Sequence, residues 1–162
     1  MLSDFECRNL IENYSDMLMH IAMGRVNNRQ EAEDIVEEVF IKVAVKGLVF
    51  ESAVAERAYL IRAVINGCHS FHRLFRSKEL SLSLFPSVSE KPQERRSDVL
   101  AAVNSLPPKY RDAVYLHYYK ELTAKEISQA LGDSVSAVEK RLSRARKMLK
   151  DILGEDYGYE AF

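Results

Sequence analysis

The stretch from Thr123 to Asp151 constrains this chain most. Thr123-Ala-Lys-Glu126 has the spacing of a capping box, in which the threonine oxygen and the glutamate carboxylate each cover a backbone N–H left unpaired by the first helical turn. Ile127, Ala130 and Leu131 then give a short helix an inward face, and Gly132 can take the left-handed conformation that ends it. Ser134 or Ser136 can cap a second helix, whose buried stripe is Val138, Leu142, Ala145, Leu149 and Ile152. Off that stripe lie Lys140, Arg141, Arg144, Arg146, Lys147 and Lys150, six cations in eleven residues without an acid. A helix that packs by one face and offers cations on the other, set behind a capped helix and a tight turn, suits the major groove of DNA. A solvated charged helix would explain the cations but not the caps and the turn.

The remainder of the chain reads as helical too. In Arg29–Lys46 the apolar residues Ala32, Ile35, Val36, Val39, Phe40, Val43 and Ala44 are spaced as the core face of an amphipathic helix, with Asn28 as its N-cap. Phe5, Leu10, Ile11, Tyr14, Leu18 and Ile21 predict an earlier helix ending near Asn27. Leu60, Ile61, Val64, Ile65, Cys68, Phe71 and Phe75 predict a later one over Arg57–Phe75. Three such helices can pack as a small bundle. The segment 79–96 mixes Ser, Pro and charge without a period and reads as a linker, although Leu80, Leu82, Leu84 and Phe85 are apolar for one. Helices resume near Ser97, Pro107-Pro108 separating one over Asp98–Ser105 from one over Lys109–Lys120, and Pro108 suits a first helical position. The expectation is an all-α chain of two small domains: a helix bundle at 1–78, the linker, a helix-turn-helix domain at 97–153 and an acidic tail at 154–162.

Charge is segregated. The net charge of −1 over 162 residues excludes coating nucleic acid by bulk charge. Yet Glu31, Glu33, Asp34, Glu37 and Glu38 crowd five acids into eight positions, while residues 109–150 carry ten basic side chains against five acidic. No run approaches the roughly 18 apolar residues of a membrane span, and the opening MLSDFECRNL lacks a leader pattern, so a cytoplasmic protein without membrane insertion is expected. Two cysteines, Cys7 and Cys68, fit a reducing compartment rather than a disulfide framework. No phosphate loop, HExxH or nucleophile motif stands out, so neither enzymatic activity nor a cofactor is expected. Cys68, His69 and His72 cannot all converge from one helix, so no metal site is expected.

Together these residues resemble the bacterial extracytoplasmic-function sigma factors of RNA polymerase. Leu106-Pro107, Arg111, Leu116-His117-Tyr118, Glu126-Ile127-Ser128, Leu131-Gly132, Val138 and the run Arg141 to Arg146 are similar to the promoter-binding C-terminal domain of that family. AEDIVEEVF at Ala32–Phe40 resembles its polymerase-binding helix, and YLIRAVINGCHSFHR at Tyr59–Arg73 its promoter-melting segment. The resemblance implies that Asp34, Ile35, Glu37, Glu38 and Phe40 meet core RNA polymerase. It implies that Ser136, Ala137, Lys140, Arg141, Arg144 and Lys147 meet the minus-thirty-five element of promoter DNA. It places Asn66 where the family reads a flipped base of the melted minus-ten element, with Arg62, His69, Arg73 and Arg76 along that single strand. The chain departs from the pattern at Tyr59, Ile65, Ser70, Glu37 and Ala137. An anti-sigma protein is a further candidate partner, which the sequence leaves open. The alternative is a stand-alone helix-turn-helix regulator, for which the acidic helix has no use.

Overall fold

The computed structural model describes residues 1–26, 28–76 and 96–154, and among them every regular element is a helix. The N-terminal unit is α1 (Asp4–Val26), α2 (Arg29–Lys46) and α3 (Ala53–Arg76), each packed on the other two. The C-terminal unit is α4 (Arg96–Ser105), α5 (Pro108–Val114), a π turn at Tyr115–Tyr119, α6 (Ala124–Leu131) and α7 (Val135–Leu153). The expected linker lies outside the described residues except for Arg96, which opens α4, and the acidic tail lies outside them beyond Gly154.

Local signals act where the sequence puts them. Asn28 caps α2, its side chain accepting the Glu31 N–H at 3.2 Å. Ser52 starts α3 a turn earlier than the apolar spacing predicts, accepting the Ala55 N–H at 3.1 Å. Ala32, Ile35, Val36, Val39, Phe40 and Val43 are all buried, against Leu18, Ile21, Leu60, Ile61 and Val64 from α1 and α3. Removing side chains of this size from water is worth about 1.5–3 kcal/mol each, so the bundle is held by its apolar stripes.

Two expectations fail at the C-terminal unit. The helix expected over Lys109–Lys120 is α-helical only to Val114; Lys120 N–H then reaches back five residues to the Tyr115 carbonyl, at 3.3 Å. That extra residue shifts the helical register, so Tyr115 and Leu116 are buried while Tyr119 is exposed. Ile152, expected in the buried stripe of α7, is 53 % exposed. It lies in the last turn, where it borders a shallow groove with Asp98, Ala101, Ala102, Ser105 and Leu153.

The two units touch. α3 packs on α6, and α1 meets α5. The Arg25 guanidinium of α1 hydrogen-bonds the Asp112 carboxylate of α5, with side chains only 13 % and 4 % exposed. Arg111 donates to the Gly24 carbonyl and, at 3.2 Å, to that of Asn104. A Cβ at Gly24 would stand 2.9 Å from Arg111 Nε, so a larger residue there would have to displace the Arg111 side chain. His20 lies flat on Tyr115, ring centres 3.7 Å apart and planes within 10°.

Candidate nucleic-acid interface

α7 begins on Ser134, whose hydroxyl accepts the Ala137 N–H at 3.1 Å; of the two serines that could cap it, Ser134 is the one used. Val138, Leu142, Ala145 and Leu149 face inward. At 100° per residue, Ser136, Lys140, Arg144 and Lys147 share the opposite face, and all four are exposed. Ala137 and Arg141 lie on the flank between and are half-buried. The cations are not equivalent. Arg144 hydrogen-bonds Tyr110 of α5, and that bond is the main cause holding the Tyr110 hydroxyl below its usual range. Arg141 Nη1 meets Asp133 Oδ2 at 2.6 Å. Arg146, on the other flank, donates to the Tyr118 hydroxyl at 2.7 Å and so braces the π turn. Lys140 and Lys147 extend from the outer face.

The capping box before α6 is formed at both ends: Thr123 Oγ1 accepts the Glu126 N–H at 3.2 Å, and Glu126 Oε2 accepts the Thr123 N–H at 2.8 Å. The other Glu126 oxygen takes Arg57 of α3 at 3.2 Å, so one carboxylate starts α6 and fastens it to the first unit.

On α3, Arg62, Asn66, His69 and Arg73 are spaced at four, three and four residues, on one face, and all are exposed. The structure therefore brings together four of the five residues expected along the melted strand. The fifth, Arg76, ends the helix, and its side chain lies outside the described residues. Arg62 is engaged: its guanidinium donates to the Gln129 carbonyl at the end of α6. Arg73 donates to Ser70 Oγ at 3.3 Å. Cys68, on the inner side of the same helix, is fully buried, and burial pushes its thiol up to about 11, which makes it a packing residue. Among the described residues no group of three His, Cys, Asp or Glu side chains is placed to hold a metal ion, and no helix is long and apolar enough to cross a membrane.

The acidic helix needs one correction. Asp34, Glu37 and Glu38 are exposed, as an interface requires, but Ile35 and Phe40 are 8 % and 9 % exposed and belong to the core. They sit at the inner positions of the repeat and support the helix from beneath. The apolar groups α2 does offer are Ile41 and Val45, 53 % and 64 % exposed, continuing the Asp34 and Glu38 face by one turn each. The sequence carried that signal: an apolar pair at i, i+4 lying off the stripe. Beside it, between α1 and α2, runs an apolar groove of about 500 Å³ lined by Leu10, Ile11, Met19, Phe40 and Ile41, with Glu33 and Glu37 on its wall.

The family model for Sigma-70 region 2 matches residues 10–77, and that for Sigma-70 region 4 matches residues 96–149. The chain is 29 % identical over 152 residues to the RNA polymerase sigma factor SigZ of Bacillus subtilis, covering 90 % of this chain and 85 % of that one. It is 26 % identical to the ECF RNA polymerase sigma factor SigM of the same organism, covering 88 % and 92 %. The fold is similar to that of the sigma factor RpoE of Bartonella quintana in complex with the anti-sigma factor NepR, with a TM-score of 0.74, 23 % identity and 96 % and 99 % of the chains covered. It is also similar to CnrH in complex with the cytosolic domain of CnrY, with a TM-score of 0.67, 22 % identity and 95 % and 91 % covered.

Proposed function

The chain belongs to the extracytoplasmic-function sigma factors of bacterial RNA polymerase, which direct promoter-specific transcription, and on that premise we propose how its surfaces divide the work. Residues 1–78 bind core polymerase and the melted minus-ten element, residues 97–153 bind the minus-thirty-five element, and 79–96 joins them. Asp34, Glu37 and Glu38, with Ile41 and Val45, form the polymerase-facing side of α2; Ile35 and Phe40 only hold it in shape. Ser136, Ala137, Lys140, Arg141, Arg144 and Lys147 face upstream duplex, where the lysines grip phosphate and the arginines can read base edges. Arg62, Asn66, His69, Arg73 and Arg76 track the melted strand. The chain supplies binding energy in the cytoplasm, where its polymerase works, and no reacting group.

The observation that carries this reading is the single stripe of Arg62, Asn66, His69 and Arg73 on α3, in one chain with the capped, cationic α7. The closed arrangement supports a further step. Duplex DNA rises about 3.4 Å per base pair, which sets the minus-thirty-five and minus-ten elements about 85 Å apart. α3 and α6 are in contact, and a 24-residue helix such as α3 is only about 36 Å long. The domains therefore separate before both elements are bound, and that separation releases Arg62 from Gln129. The similarity to RpoE with NepR and to CnrH with CnrY supports an anti-sigma protein as the partner that keeps this chain closed.

Stoichiometric retention of core RNA polymerase by the full chain, lost in Asp34→Lys/Glu38→Lys and in Ile41→Asp, is the expected result. Folded wild type that retains no polymerase yet selects a DNA sequence by itself would replace this reading with a stand-alone regulator.

A further inference from the structure

The helix-turn-helix carries one charged contact that its fold does not require. Gly132 turns left-handed at φ 75°, and Asp133 follows it, giving its N–H to the Ser128 carbonyl at 3.1 Å. Its carboxylate then receives Arg141 Nη1 at 2.6 Å from eight residues along, with side chains 31 % and 23 % exposed. The turn is already specified by Gly132, by the capping box and by Ser134. A charge pair is not needed to make it.

The geometry of the pair matters more than its strength. Helical side chains lean towards the N-terminus, and Asp133 stands just before the cap of α7, so the pair draws the Arg141 guanidinium along the helix towards its first turn. That end of a recognition helix is the one whose side chains reach base edges. A guanidinium has five N–H donors in a planar fork; Asp133 engages it through Nη1 and leaves the rest of the fork to a second acceptor.

We propose that Asp133 is a positioning residue for upstream-element readout: it orients the Arg141 fork at the N-terminal end of α7, and its own negative charge weakens binding to DNA that offers phosphate alone. This rests on the reading of α7 as the helix that meets the upstream element. The two roles give Asp133→Asn effects of opposite sign. Losing a carboxylate beside the duplex raises affinity for any DNA. Losing the orientation of Arg141 lowers the preference for the right sequence. A pair that merely stabilised the turn would lower both together.

The test uses holoenzyme assembled from the full chain and bacterial core polymerase. A promoter is first selected from a library whose upstream element is randomised, and binding to it is compared with binding to the same promoter carrying a scrambled upstream element. Asp133→Asn is expected to cut the preference about tenfold, the scale of one well-made base contact. Its affinity for scrambled DNA should rise, and the slope of log affinity on log salt should steepen by about 0.9, the share of one phosphate. Asp133→Glu should recover part of the preference. If Asp133→Asn keeps the preference while Arg141→Ala loses it, Arg141 needs no orientation and the proposal is wrong. If Arg141→Ala itself keeps the preference, the assignment of Arg141 to DNA fails first and the proposal with it. A parallel fall on selected and scrambled DNA, with a lowered Tm, makes the pair structural and overturns the proposal.

Discussion

Arg25 and Asp112 lie in different domains, 87 residues apart, and replacing either by alanine tests whether their contact holds the molecule closed. Both are almost wholly buried, at 13 % and 4 % side-chain exposure, so solvent screens the pair little. Burial pushes the Asp112 carboxyl up, and the charges of Arg25, Arg111 and Arg141 pull it back. Deleting one member of such a pair leaves the other charge desolvated, which costs about 3–5 kcal/mol. At about 1.36 kcal/mol per decade that is roughly a hundredfold to a few thousandfold loss in the closed-to-open ratio. Asp112→Ala should lie towards the upper end, because Arg25 and Arg111 both lose their carboxylate. Arg25→Ala should lie at the lower end, because Asp112 keeps Arg111 beside it. A double replacement, Arg25→Met with Asp112→Leu, should be close to neutral, since apolar groups of similar size replace a buried pair at little net cost.

The assay is a distance distribution between spin labels on the native Cys7 of α1 and on Glu139→Cys in α7, both away from the pair. The buried Cys68, its thiol raised to about 11, stays unlabelled. Wild type should give one narrow distribution, the single variants a broader one reaching longer distances, and the apolar double variant the narrow one again. Arg25→Ala lies outside the C-terminal domain, so opening in that variant cannot come from damage to the helix-turn-helix. The reasoning fails if both single variants keep the wild-type distribution and the coupling across the cycle is below about 0.5 kcal/mol, the usual scatter of independent sites.

Two more measurements use the same surfaces. Burial first, then Arg111 and Lys120, holds the His20 imidazole below its ordinary range where it stacks on Tyr115. A lowered closed-state pKa means the closed form binds the proton less well, so the contribution of His20 to closure is whole above about pH 6.5 and is lost as pH falls through the closed-state value. Acidification should therefore lengthen the label distance. His20→Phe, which keeps a ring on Tyr115, should remove that response and expose the opposite drift of Asp112, whose raised carboxyl favours closure in acid; an unchanged profile would assign the titration elsewhere. On duplex DNA, neutralising about four phosphates gives a slope of log affinity on log salt near −3.6. Lys140→Ala/Lys147→Ala should flatten it by about 1.8, and a slope that does not move would remove both lysines from the interface.

Local order was legible in the sequence. The stripe of α2 is buried from Ala32 to Val43, with Ala44 in the last turn half-buried, and Thr123 with Glu126 makes both bonds of its capping box. Such features depend on neighbours within four residues, which a sequence displays directly. The choice of Ser134 over Ser136 was beyond it, because either hydroxyl satisfies the same spacing. The π turn was beyond it as well: Tyr115-Leu-His-Tyr-Tyr119 reads as helix, and the ring against which Tyr115 stacks, His20, lies 95 residues away in the sequence. The burial of Ile35 and Phe40 was implicit in the very spacing that made α2 a helix. Ile41 and Val45 lie off that stripe at i, i+4 and are the apolar groups the helix exposes.

The domain contact was illegible for a different reason, and that reason bears on function. Its charged and polar members, Arg25, Arg57, Arg62, Arg111, Asp112 and Glu126, leave no apolar periodicity to read, although one apolar core runs through both units beneath them. Charged pairs taken out of water return little net free energy, because desolvation offsets most of the attraction. The charged part of the contact is therefore specific in its geometry and modest in its strength. The consequence for a polymerase subunit is quantitative. If the closed form is favoured a hundredfold, the open form that binds is about 1 % populated, and apparent affinity for core polymerase falls a hundredfold. Polymerase affinity can absorb a loss of that size. Arg62 makes the coupling chemical as well as geometric, since the same guanidinium that holds the Gln129 carbonyl in the closed form lies on the α3 stripe with Asn66, His69 and Arg73. If that stripe tracks the melted strand as proposed, opening frees a cation where single-stranded phosphate would be bound, and part of the cost of separating the domains would be returned when the strand arrives.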